Sequence, residues 1–265
     1  MAIIAQHSFI RSLKVQWRIV YAVIMREIIT RYGRHNIGFA WMFAEPMLFT
    51  LGVTLLWSVS KEGSHGHHVT IASFAITSYS TVLVWRNTIN RCADAIEPNR
   101  PLLFHRNVSI FDVFIGRVLL ELIGVTSAVT LIFLAFLWLD IIELPYNILG
   151  MISGWSLLCW YAAAMSLIIG ALSDYSELVD RIWHPLSYFQ LPVSGAFALT
   201  AQLPPAFQKI VLLFPATNCA EFFRSSYYGP TVRSMYDIPY VVVVNMVLTW
   251  LGLYLVRKVS RRPSK

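Results

Sequence analysis

Charged side chains are scarce in this chain. Asp, Glu, Lys and Arg make up 13% of its 265 residues, against about 25% in a soluble domain. Hydrophobic residues reach 57%, and mean hydropathy is +0.59. That balance leaves too little polar surface to cover a water-soluble core. It also excludes a disordered chain, which needs low hydrophobicity and high charge. Cysteine is scarce as well. Cys92, Cys159 and Cys219 are odd in number and far apart, which excludes a disulfide framework and a metal-binding spacing. No lysine follows a glycine and no G-x-x-x-x-G-K-[ST] stretch occurs, so a standard phosphate loop for ATP is missing. H-E-x-x-H, C-x-x-C and G-x-S-x-G are missing too, leaving an enzyme no recognisable nucleophile or metal site. The chain reads as an integral membrane protein.

What is present is long apolar runs. Charge-poor stretches lie at 39–59, 69–85, 110–139, 146–173, 182–199 and 238–256. Glu45 and Pro46 sit near the start of the first, and Asp112, Arg117 and Glu121 are confined to the first turns of the third. Each run can cross a hydrocarbon core of about 30 Å at about 1.5 Å per residue, allowing for tilt. The expected fold is all-α, a single transmembrane domain of six membrane-spanning helices.

The N-terminal stretch has no basic start, sustained apolar core or small-residue cleavage site, so it is not read as a signal peptide. Six spans place both termini on one side. Sorted that way, 17 of the 21 Lys and Arg fall on the side of the termini, leaving Lys61, Lys209, Arg224 and Arg233 opposite. The basic side is then cytoplasmic. The net charge of +7 is a topology signal, and no nucleic-acid partner is expected. Charge is almost absent from mid-span, whereas proton-coupled transporters usually carry it there. If the chain transports, its energy comes from outside.

Three connecting regions carry further signal. Within 1–38, Trp17, Val20, Tyr21, Ile24, Ile28 and Tyr32 recur at helical spacing, with Arg18, Arg26, Arg31 and Arg34 opposing them. This is expected to be an amphipathic helix in the cytoplasmic membrane interface, its arginines facing lipid phosphates. The other reading is a cytoplasmic helix packed on the bundle. The 86–109 segment mixes apolar and charged positions at helical spacing, and Pro98 and Pro101 let one helix end and a short one begin. Leu102, Leu103 and Phe104 are three adjacent large apolar residues suited to docking a cytosolic motor. The 200–237 stretch is apolar in patches but interrupted by Pro204, Pro205, Pro215 and Pro230. Either a re-entrant pair of short helices or a surface pair at the outer interface fits it.

Several of these stretches resemble one family. Arg26-Glu27, Arg31-Tyr32, Gly38, Trp41 and Pro46 are similar to the R-[DE]-x-x-x-R-[YF]-x-x-x-x-x-G-x-x-W-x-x-x-x-P stretch of polysaccharide-exporting ABC transporter permeases. The run from Ile96 to Leu103, followed by Val108, Asp112, Arg117, Leu120 and Glu121, is similar to that family's cytoplasmic loop and third-span start. Tyr188–Gly195, Leu203-Pro204 and Glu221–Arg224 look like its fifth span and external hairpin. One departure is Phe214 before Pro215, where the family commonly has Asn-Pro. The chain is identified as an ABC-2 type transporter permease of the capsular polysaccharide export family.

That resemblance implies a homodimer with two cytosolic ATPase subunits, which bind the ATP and Mg, and no cofactor in this chain. It further implies a lipid-linked polysaccharide as cargo, passed from the inner membrane to a periplasmic co-polymerase and an outer-membrane export protein. Asn99 and Arg100, with Leu102, Leu103 and Phe104, fall in the segment that would couple to the ATPase. An O-antigen or teichoic-acid permease is the near alternative. A membrane-embedded enzyme on lipid-linked sugars is the distant one, and it would draw on Asp174, Glu177 and Asp180.

Site residues follow from type and position. Arg31, Arg34 and Trp41, where the first helix meets the first span, can receive an anionic lipid-linked head group or merely reach membrane phosphates. Arg117 and Glu121, four apart, are expected to pair with each other and to shape the canal entrance or brace the bundle. Tyr161 and Tyr188 are the deeper aromatics and the candidates to line a canal at the dimer interface. His65, His67 and His68, set among Gly63, Ser64 and Gly66, are expected in a solvated loop with no metal. Lys209, Arg224 and Arg233 can attract an acidic polymer at the exit, though Glu221 and Arg224, three apart, are expected to brace the hairpin.

Overall fold

A computed structural model of the chain describes residues 2–32, 70–103, 108–196 and 198–261, with 40–41, 44, 47–48 and 50–56 between them. Every regular element among the described residues is helical. Helical residues occur within 40–56, and the elements with described bounds are, in chain order, α1 (Ala2–Tyr32), α2 (Ile71–Ala93), a 3-10 turn at Glu97–Asn99, α3 (Arg100–Leu103) and α4 (Ile110–Trp138). There follow α5 (Ile148–Tyr175), α6 (Glu177–Phe189), a 3-10 turn at Thr200–Gln202, α7 (Pro205–Val211), α8 (Pro215–Tyr228), a 3-10 turn at Gly229–Thr231 and α9 (Ile238–Ser260).

The helices α4, α5 and α9 are long and apolar enough to cross a membrane. Ser109 starts α4 with a capping box: its hydroxyl accepts from the Asp112 amide at 3.2 Å while the Asp112 carboxylate accepts from the Ser109 amide at 2.8 Å. Two of the orphan donors at the helix start are thereby satisfied. Helix α5 is central and packs on α2, α8 and α9. Small residues permit this. A Cβ at Gly154 would lie 3.0 Å from the Phe223 amide nitrogen, and one at Gly170 would lie 2.6 Å from the Cys92 carbonyl oxygen. Trp155 and Trp160 tie α5 to α4 and to α9, donating to Thr126 at 3.0 Å and Thr249 at 2.9 Å. Each ring buries its body and satisfies its single donor.

The 23-residue α2 is a different kind of helix. Its buried residues include Ser73, Thr77, Ser78, Ser80, Thr81 and Thr88. The hydroxyls of Thr77, Thr81 and Thr88 donate to the carbonyls of Ser73, Ser78 and Val84 at 2.6–2.7 Å. Such back-bonding satisfies a buried hydroxyl without a second helix. The helix also runs to Ala93, beyond the charge-poor run at 69–85. A charged residue at Arg86 ended the apolar signal, not the hydrogen-bond ladder.

Helix α6 departs from the expected run at 182–199. It ends at Phe189 and is followed by turns through 196. Pro192 has no N–H to extend the ladder; the Val193 and Ser194 amides both turn back to the Gln190 carbonyl, and Gly195 takes φ +73°. In the 200–237 region the prolines begin elements instead of breaking them: α7, α8 and the last 3-10 turn each carry Pro at a first position, where its missing N–H is harmless. The two helices are unequal. Helix α7 is largely exposed, whereas α8 is buried along most of its length.

Candidate functional site

The site is built from one face of α1. Val20 and Val23 are buried, and Val23 lies so close to Gly116 of α4 that a Cβ there would meet it at 2.8 Å. Glu27 follows on the same face, so this apolar stripe carries a carboxylate into the interior. Its Oε1 accepts from Arg117 Nε at 2.9 Å and from Asn99 Nδ2 at 2.8 Å. Arg117 Nη1 in turn donates to the Arg91 and Asp94 carbonyls at the end of α2, where unpaired carbonyls and the helix dipole favour a cation. Asn99 Oδ1 accepts from Arg26 Nη1 at 2.6 Å, and Asn99 Nδ2 also donates to the Ala95 carbonyl at 2.9 Å. One buried node thus ties α1, the end of α2, the Glu97–Asn99 turn and α4.

This corrects two expectations. Arg117 pairs with Glu27, ninety residues away, and not with Glu121. Glu121 lies 3.9 Å from Arg91 instead. The i,i+4 rule considers one helix in isolation, and α2 and α1 bring closer partners to each side chain. Arg26, expected to face lipid phosphates, is drawn inward to Asn99 and to the Pro98 carbonyl at 3.3 Å.

Asn99 is buried, Arg100 lies 3.8 Å from Asp174 at the end of α5, and Leu102 and Leu103 are half-buried. Leu103 leans on the cluster of Cys92, Val113 and Phe114. Beside the node a polar recess of about 400 Å³ is lined by Asn87, Asn90, Arg91, Asp94, Arg117 and His184. Partial burial raises the Asp94 carboxyl above the ordinary carboxylate range, against the opposing pull of Arg117. Arg31 lies in the last turn of α1. Arg34, Phe104 and the three histidines lie outside the described residues, and Trp41 is exposed. Tyr161 is buried inside the bundle, whereas Tyr188 is exposed with the Arg86 guanidinium 3.9 Å above its ring. The structure does not bring these two tyrosines onto a common open face.

A second polar node occupies the opposite end. Arg224 and Glu221 on α8 are fully buried and 2.5 Å apart. Glu221 Oε1 also accepts from the Thr200 amide and hydroxyl at 3.1 and 2.8 Å. Arg224 Nη1 donates to the Gly195 carbonyl at 2.6 Å and the Ser78 hydroxyl at 3.1 Å. Arg224 is therefore no surface charge. It locks the turns after α6 to α2 and α8, and a Cβ at Gly195 would strike its Nη2 at 2.7 Å.

Each node is a dense set of hydrogen bonds, although in the second the Arg224 Nε is buried with no hydrogen-bond partner, and no cluster of three or more metal-ligating side chains occurs among the described residues. The arrangement suits holding helices together or passing force between them. The profile of the family described as ABC-2 type transporter matches residues 18–228. This chain belongs to that family.

The match takes in both nodes of this ABC-2 chain. It is 38% identical to the capsule polysaccharide export inner-membrane protein BexB of Haemophilus influenzae over 96% of each chain. It is 37% identical, with the same coverage, to the similarly described CtrC of Neisseria meningitidis serogroup B. With the polysialic acid transport protein KpsM of Escherichia coli it shares 24% identity over 93% of this chain and 95% of that protein. Of the ABC-2 chain's nodal residues, Glu27 and Arg26 went unrecognised as interior groups in the sequence. The available signal was the spacing of Glu27 from Val20 and Val23, which puts it on a helix face that must be covered.

Proposed function

We propose that this chain is the permease subunit of an ATP-driven exporter of lipid-linked capsular polysaccharide. End-to-end similarity to capsule export proteins of an inner membrane supports the cargo and the location. In this reading six spans cross the membrane with both termini cytoplasmic, 200–237 forms an external re-entrant hairpin, and two copies enclose a canal. The exposed Trp17 and Tyr21 of α1 would sit at the cytoplasmic interface, where amphipathic aromatics settle. Two cytosolic ATPase subunits would bind ATP and Mg, and a co-polymerase and outer-membrane protein would receive the polymer.

The observation that carries the reading is the Glu27 node. It joins the 97–103 segment, which would meet the ATPase, directly to α1 and to the start of α4. Displacement of that segment then moves a buried carboxylate whose bonds reach two long helices. Rigid, saturated connections transmit displacement; loose ones absorb it. Cargo and coupling are tested separately. Cells lacking the chain should retain polymer inside, detected by antibody or radiolabel, and normal surface polymer in such cells overturns the export reading. Asn99→Leu should leave the permease–ATPase complex assembled and hydrolysing ATP while export falls at least tenfold. Unimpaired export would overturn the role given to the node.

A further inference from the structure

At the end of the bundle away from the Glu27 node lies an open groove of about 1040 Å³, between the start of α5, α8 and the segment leading into α9. Pockets of about 300–1,000 Å³ hold a drug-sized ligand, so this one has room for several linked sugars. Its lining is uneven in a telling way. Tyr146, Phe222 and Tyr236 supply aromatic surface, and the last two rings lie 5.1 Å apart at 46°. Tyr146 is exposed, its ring seated against Gly229, where a Cβ would lie 2.6 Å from it. Lys209 on α7 and Arg233 add two exposed cations, and neither makes an ion pair among the described residues. Ser234 contributes a buried hydroxyl oxygen with no hydrogen-bond partner.

The carboxylate in the groove is already engaged. Asp237 caps α9, accepting from the Tyr240 amide at 3.0 Å, while its own amide donates to Asn218. What is left over is aromatic faces, two cations and a free hydroxyl. Flat aromatic surface packs against the C–H faces of pyranose rings. Ammonium and guanidinium groups bind carboxylates, guanidinium in a bidentate fork. Of the basic residues expected at this end, Arg224 is consumed by Glu221 and Lys61 lies outside the described residues; among the described residues Lys209 and Arg233 face the groove.

We propose that this groove is a binding site for acidic oligosaccharide, holding carboxylate-bearing sugars between the aromatic faces and the Lys209 and Arg233 cations. The chemistry rests on the groove; its place on the exit side of the membrane rests on the export reading. The site would retain emerging polymer and oppose its return into the bundle.

The test uses the full chain in lipid nanodiscs, with fluorescein-labelled hexagalacturonate as the acidic probe and maltohexaose as the neutral one. The wild type should bind hexagalacturonate at least tenfold more tightly than maltohexaose. Lys209→Gln/Arg233→Gln should remove at least tenfold of that affinity, whereas Lys209→Arg/Arg233→Lys should keep it. Equal binding of the two sugars, or full affinity in the Gln variant, overturns the proposal. So does failure of the wild type to bind either sugar, which would leave the face to a protein partner. Polymer retention in cells lacking the chain is scored independently, so the groove and the export reading can fail apart.

Discussion

The two ends of this molecule each bury an Arg–Glu pair, and the pairs are built differently. Arg224 and Glu221 are three residues apart on one helix, with both side chains 0% exposed and anchored to Thr200, Gly195 and Ser78. Arg117 and Glu27 come from helices far apart in sequence, with side chains 8% and 7% exposed, beside a polar recess. Removing either pair exposes groups to loss of partners, but the consequences should diverge. The first pair assembles turns that have no ladder of their own and is a matter of folding. The second connects α1 and the Glu97–Asn99 turn to the end of α2 and to α4, and is a matter of transmission.

The largest effect is expected at Glu221. Glu221→Leu strands Arg224 in the interior and deprives the Thr200 amide and hydroxyl of their acceptor. Breaking one side of a buried pair costs about 3–5 kcal/mol, enough to abolish most folded protein on thermal challenge of the purified chain. Adding Arg224→Met should restore a part of the lost stability and no more, because Thr200 still lacks its acceptor. Full restoration would show that the Thr200 bonds contribute nothing, and an unchanged melting curve in the single variant would show that the pair does not hold the fold.

Glu27→Gln ranks next and should separate the two ends most clearly. The amide keeps an acceptor for Arg117 but loses the charge, a loss of about 2 kcal/mol for a hydrogen bond to a charged group. The protein should still fold and assemble. Export per ATP hydrolysed should fall at least tenfold, measured as surface polymer against phosphate release. A stability loss matching that of Glu221→Leu, with export per ATP intact, would erase the distinction between the ends.

The sequence made much of this architecture readable and little of its wiring. Helices α4, α5 and α9 occupy apolar runs that announce themselves, because a membrane core rejects charge over a length set by its thickness. The polar α2 was visible as a run only to Arg86, since its helix continues beyond the apolar signal. The break after α6 was marked by Pro192 and Gly195, yet the apolar run concealed it. Arg224 with Glu221 was legible because the partners are local. Glu27 with Arg117 was not: the same local rule pointed to Glu121, and only packing of α1 on α4 decides between them. Asn99 stood out only as part of the segment that resembles the family's cytoplasmic loop; nothing marked it as the hub of a buried network, because a neutral side chain takes that role from what surrounds it.

A solvent-exposed Arg–Glu pair extends the comparison and should show almost nothing. Arg181 and Glu177 on α6 lie 3.1 Å apart, with side chains 75% and 85% exposed. Their separation is close to that of Arg117 and Glu27, so distance alone would rank the two pairs together. Water already solvates each group, and holding two long side chains in one geometry opposes the modest Coulomb gain. Glu177→Gln should therefore shift stability by less than about 0.5 kcal/mol and leave export per ATP at the wild-type value. A loss approaching that of Glu27→Gln would mean that α6 is covered in the working assembly. Burial by a partner would then have to be counted there before the two ends could be compared.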